Sequence, residues 1–70
     1  MKVTLQNIEN AENGYIGTIV EQCYEQTNLL NQCYKTDTEI RIEDGESKGY
    51  NYFTIEEFAI GYKNKELRNL

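Results

Sequence analysis

The sequence predicts a mainly β domain: a small antiparallel sheet with one short helical turn. From Thr36 to Glu43, the residues Thr36, Thr38, Ile40 and Ile42 alternate with Asp37, Glu39, Arg41 and Glu43. This period of two, with β-branched residues on one face and charges on the other, describes a half-buried antiparallel strand. The strand runs into Asp44-Gly45, a hairpin signal because glycine accepts positive φ. Gly49 to Ile55, carrying Tyr50, Tyr52 and Phe53, then supplies the returning strand.

Upstream, the run Tyr15-Ile16-Gly17-Thr18-Ile19-Val20-Glu21-Gln22-Cys23-Tyr24 is entered through Asn13-Gly14 and is dense in β-branched and aromatic residues. A helix is the rival reading, since Ile16, Ile19, Val20, Cys23, Tyr24, Thr27 and Leu30 fall close to one helical face. Glycines 14 and 17 and the β-branched crowding weigh toward a strand. Residues 25–32 then read as a loop or hairpin tip. At Thr54 to Tyr62 the choice also stays open. Thr54 with Glu57 forms the capping box of a helix whose stripe would be Ile55, Phe58, Ala59 and Tyr62. Alternatively, Thr54 to Glu57 make a 3₁₀ turn and Phe58, Ile60 and Tyr62 alternate along a last strand, which Gly61 slightly favours. The helical choices would make the fold α+β, a small sheet with one or two helices.

Taken in order, the Gly-Thr-Ile-Val-Glu strand, the long connection, the Ile-Arg-Ile-Glu-Asp-Gly-Glu hairpin, the aromatic strand and Thr-Ile-Glu-Glu-Phe-Ala-Ile resemble a small SH3-like barrel. The resemblance spans about fifty residues and is architectural. It implies a fold and leaves function open.

Residues 1–70 fit a single domain, with a core too small to carry a deep catalytic cleft. Twelve acidic residues face seven basic ones, for a net charge of −5, and histidine, tryptophan and proline are missing. Without histidine there is no imidazole base and no usual serine or cysteine triad. Two cysteines cannot build a four-thiolate cage. No cofactor is expected and the chain reads as non-enzymatic. No apolar window of membrane-spanning length and no leader-like N-terminal run is present, so the chain reads as cytoplasmic. Scattered cations and excess acid argue against nucleic acid, because phosphate affinity comes from lysine and arginine displacing counterions. Lys63, Lys65 and Arg68 lie together, in a segment expected to fray.

Cys23 and Cys33 are ten residues apart, unlike C-x-x-C spacing. Pairing of strands 15–24 and 33–43 would allow them to face each other, although reduced, buried thiols are expected in the cytosol. The acidic pairs at Glu43-Asp44-Glu46 and Glu56-Glu57 read as a hairpin tip and a capping turn.

Six tyrosines are the most unusual usage. Tyrosine offers rigid contact area at low entropic cost, which suits both a core and a recognition surface. The leading functional reading is therefore a protein-interaction module that docks an acidic and tyrosine-bearing surface on a basic site of a partner protein. The candidate contact residues are Asp37, Glu39, Glu43, Asp44, Glu46, Tyr50 and Tyr52. Small phage or bacterial mobile-element proteins that block a host or defence factor share this size and acidity. Two alternatives stand beside it: a small nucleic-acid-binding barrel using tyrosines with Arg41, Lys48, Lys63 and Lys65, and a subunit of a homo-oligomer completed by copies of itself.

Overall fold

The computed structural model describes residues 1–23, 26–44 and 49–69, with side chains described outside 21–30 and 44. Five antiparallel strands and two short helices follow one another as α1 (Leu5–Asn10), β1 (Gly14–Cys23), β2 (Gln26–Lys35), β3 (Glu39–Asp44), β4 (Tyr50–Thr54), α2 (Ile55–Gly61) and β5 (Glu66–Arg68). The strand order is β4-β3-β2-β1-β5, so β4 and β5 are the outermost strands and never meet. The sheet is open and the fold is α+β, which corrects the SH3-like barrel expected from the motif order.

Three elements account for the difference. β2 begins at Gln26, where a loop or hairpin tip was expected; it pairs with β1 between Gln26 and Lys35 and with β3 over Asn31 to Lys35. Gln26-Thr27-Asn28-Leu29-Leu30-Asn31-Gln32 has little strand propensity of its own, but pairing with β1, whose strand signal is strong, sets its conformation. Thr54 opens a helix rather than a turn into a strand: its hydroxyl accepts from Glu57 N at 3.1 Å, and Glu57 Oε1 accepts from Thr54 N at 3.0 Å. Gly61 closes this helix instead of interrupting it, and Tyr62 N caps it by donating to Phe58 O at 2.9 Å. The expected last strand at Phe58 to Tyr62 is therefore absent, and Glu66–Arg68 supplies the final strand by pairing with Thr18 to Val20 of β1. This segment was expected to fray, yet Leu67 is buried and the N-terminal residues bond to its far side, with Leu67 N donating to Met1 O at 2.7 Å.

The strand reading of residues 15–24 holds through Cys23 in β1, and Tyr24 lies outside the described residues. In β3 the regular part starts at Glu39, because the Thr36 hydroxyl accepts from Glu39 N at 3.0 Å and folds residues 36–38 into a turn. Ile40 and Ile42 are buried and Arg41 is exposed, as the alternation requires. The Asp44-Gly45 turn lies outside the described residues.

The core occupies one face of the sheet. Ile40 and Ile42 of β3, Cys33 of β2, Ile19 of β1 and Leu67 of β5 meet Val3, Ile8 of α1, and Ile55 and Phe58 of α2. Both helices are thus drawn to the same side. Lys35 shares this face at its edge, paired with Ile40, and is itself buried; its Nζ is satisfied by donating to Ala11 O at 3.0 Å and Asn13 Oδ1 at 3.4 Å. Tyr62 stacks on Phe58 at 5.0 Å between centroids and meets Phe53 edge-on at 6.0 Å.

The α2 capping box makes a specific prediction. Replacing Thr54 by alanine should lower stability by about 1 kcal/mol, as read by chemical denaturation. Hydrogen bonds from the Thr54 backbone and side chain hold Glu57 below its ordinary value of 4.5. A carboxylate lowered on folding stabilises the fold above its unfolded pKa, and this contribution disappears as pH falls through the folded value. The difference between wild type and a Glu57→Gln variant should therefore shrink on acidification below about pH 4.5.

Candidate functional site

Alternation across a sheet puts every second residue on the side away from the helices, and register decides which of them become neighbours. Tyr15 pairs with Tyr34, Tyr34 with Arg41, and Arg41 with Tyr52. One row of side chains therefore crosses four strands. In the next row Tyr50 pairs with Glu43, Glu43 with Gln32, and Gln32 with Thr18. The two rows make an uncovered, tyrosine-lined sheet face.

Contacts within the face tie it together. The Tyr15 and Tyr34 rings lie 5.7 Å apart and those of Tyr50 and Tyr52 6.4 Å apart. The Arg41 guanidinium sits 5.5 Å from the centre of the Tyr52 ring, within cation–π range. Tyr34 donates to Gln32 Oε1 at 2.9 Å, with Glu43 Oε2 at 3.5 Å. Partial burial and then the Glu43 charge raise the Tyr34 phenol above its ordinary value of 10, keeping it a neutral donor. Tyr15 shares a hydrogen bond of 2.6 Å with the Thr18 hydroxyl. A register shift between Tyr15 and Gly17 makes that contact possible, since one extra residue in β1 returns Thr18 to the side Tyr15 occupies. At the margin Arg68 Nε pairs with Glu66 Oε1 at 3.2 Å. That partner holds the Glu66 carboxyl below its usual range.

Of the residues singled out in the sequence, Glu43, Tyr50 and Tyr52 come together here, and the two tyrosines remain 50% and 57% exposed. Glu39 pairs with Thr54 at the opposite end of β3, roughly 13 Å from Glu43 along the strand. Asp37 lies in the preceding turn, where Oδ1 accepts from Asn13 Nδ2 at 2.7 Å. Arg41 separates these two acidic ends, so the described acidic residues do not form a continuous ridge. The Asp44 side chain and Glu46 lie outside the described residues. Tyr15 and Tyr34 join the face only through strand pairing, a relation that no local sequence pattern carries.

A second surface feature lies on the helical side. Thr4 and Leu5 at the start of α1, Glu56, Ala59 and Ile60 of α2, and Lys63 in the turn after it line an open, largely apolar groove of about 460 Å³. Ile60 is 78% exposed beside it, the highest exposure of any large hydrophobic among the described residues.

Among the described side chains no cysteine lies on either surface. Cys33 is a free, fully buried thiol paired in register with Gly17. Cys23 pairs with Gln26, which lies seven residues along β2 from Cys33, roughly 23 Å away. A disulfide needs Cα atoms within about 7 Å, so the expectation that the two could face each other across the hairpin is not met. Burial pushes the Cys33 thiol up to about 12. In a Cys23→Ser background, Cys33 should stay unreactive toward a disulfide reagent at pH 8 until denaturant unfolds the chain.

Among the described residues no cluster of histidine, cysteine, aspartate or glutamate is arranged to hold a metal ion, and no helix is long and apolar enough to cross a membrane. Comparisons with protein-family models, curated proteins and solved structures give no match for this chain.

Proposed function

We propose that this chain is a non-enzymatic subunit of a homo-oligomer, whose uncovered sheet faces are its binding surfaces for a protein partner. The observation that carries this reading is the exposed Ile60 beside the apolar groove between α1 and α2. A chain this short has little apolar surface to spare, and an apolar anchor left next to a groove lined by a second helix favours completion by another chain. Light scattering at several concentrations tests it. The expected mass is a multiple of the 8.2 kDa chain at high concentration. A constant monomeric mass removes the reading.

Four tyrosines on the opposite, uncovered face support the second half of the proposal, because exposed tyrosine clusters suit protein contacts. Charges of both signs, Glu39, Arg41 and Glu43, alternate along β3 across this face. That pattern favours a partner surface of mixed charge over a uniformly basic one. Tyr50→Ala with Tyr52→Ala should leave circular dichroism unchanged and abolish capture of the partner from native lysate. Retained capture by the folded double variant would move the contact elsewhere.

A further inference from the structure

We propose that α2 packs antiparallel against α2 of a second copy, across a two-fold axis passing between Ala59 and Ile60, with each Ile60 entering the groove of the other copy. The proposal rests on the homo-oligomer reading and names its interface. Glu56, Ala59 and Ile60 follow one another along α2 at spacings of three and one, and Lys63, three residues further on in the turn that follows the helix, lines the same groove, so the four share one surface. This surface is antisymmetric in charge. Its carboxylate and its ammonium stand at equal distances in sequence from the midpoint between 59 and 60. A two-fold axis at that midpoint places Glu56 of each copy opposite Lys63 of the other and lays the two Ile60 side chains next to one another over Ala59 and Leu5. A parallel arrangement would instead oppose like charges at both ends.

An isologous contact requires a self-complementary patch of this kind. The patch is also locally neutral in a chain whose net charge is −5, so the repulsion between copies originates elsewhere on the surface. Within the contact, Ile60 supplies the desolvated anchor, while the exposed ion pairs choose the orientation more than they add affinity. The patch is smaller than the roughly 800 Å² per partner of a standard interface. Association should therefore be weak and readily reversed by dilution.

Sedimentation velocity over a concentration series tests this on the wild type and on Ile60→Glu, Glu56→Lys, Lys63→Glu and the Glu56→Lys/Lys63→Glu double variant, each shown to be folded by circular dichroism. Ile60→Glu should weaken association at least about tenfold, because it buries a charge at the axis. Each single reversal should also weaken it, since like charges then meet at both ends. The double reversal should regain wild-type association, because exchanging both signs restores the pairing. A wild-type dimer unaffected by Ile60→Glu, or a double variant no better than the single ones, overturns the α2 interface and leaves the homo-oligomer reading intact. A wild type that stays monomeric throughout overturns both.

Discussion

Phe58→Ala is expected to leave the chain unfolded or nearly so at 25 °C. Phe58 is fully buried, stacks on Tyr62 and joins α2 to the sheet in a core shared with Ile8, Ile40 and Ile55. Removing a buried phenyl ring costs about 3–5 kcal/mol through lost transfer energy and the cavity left behind. A 70-residue domain has only about 4–10 kcal/mol in total. Thermal and urea unfolding followed by circular dichroism measures the loss. A cooperative transition within a few degrees of wild type would show that α2 does not depend on this side chain for its place.

Gly17→Ala is the second large effect expected, and its origin is different. Gly17 has φ of +138°, a region open to glycine but strained for other residues, which costs about 1–3 kcal/mol. A Cβ there would also lie 2.8 Å from Leu67 Cβ, an atom fixed to the backbone of β5 rather than the movable end of a side chain. Either β5 shifts away from β1 or β1 loses its bulge. Gly14 is the control: its φ of +107° carries the backbone strain, but nothing lies within 4 Å of an added Cβ. Gly17→Ala should therefore destabilise more than Gly14→Ala and should accelerate amide exchange across Glu66–Arg68. Equal effects at the two glycines would mean that close packing against β5 contributes nothing.

The same positions show where sequence reasoning reached and where it stopped. β1, β3 and β4 were legible because β-branched and aromatic residues mark them, and Ile40 and Ile42 were placed in the core by alternation alone. The capping box at Thr54 and Glu57 was visible as well. Its outcome was not, since Gly61 reads as a break in a helix and so slightly favours a last strand, whereas it ends a helix whose Phe58 packs in the core. β2 was illegible for a deeper reason: its amides and leucines carry no strand signature, and the conformation of its first half follows from pairing with β1. β5 has only three residues and owes its existence to Gly17, which lets its backbone approach. Missing these two strands turned an open sheet into an expected barrel. It also concealed the tyrosine face, half of which is built from strand neighbours distant in sequence.

The separation of the two surfaces has a consequence for valency. The helices sit on one side of the sheet and the tyrosines on the other. Two copies joined through their helices would hold their tyrosine faces back to back, pointing in opposite directions. A divalent object of this shape cannot place both faces on one flat target, so it gains little avidity there. It is suited instead to bridging two separate molecules, and a partner that itself has two sites would be linked into chains as concentration rises.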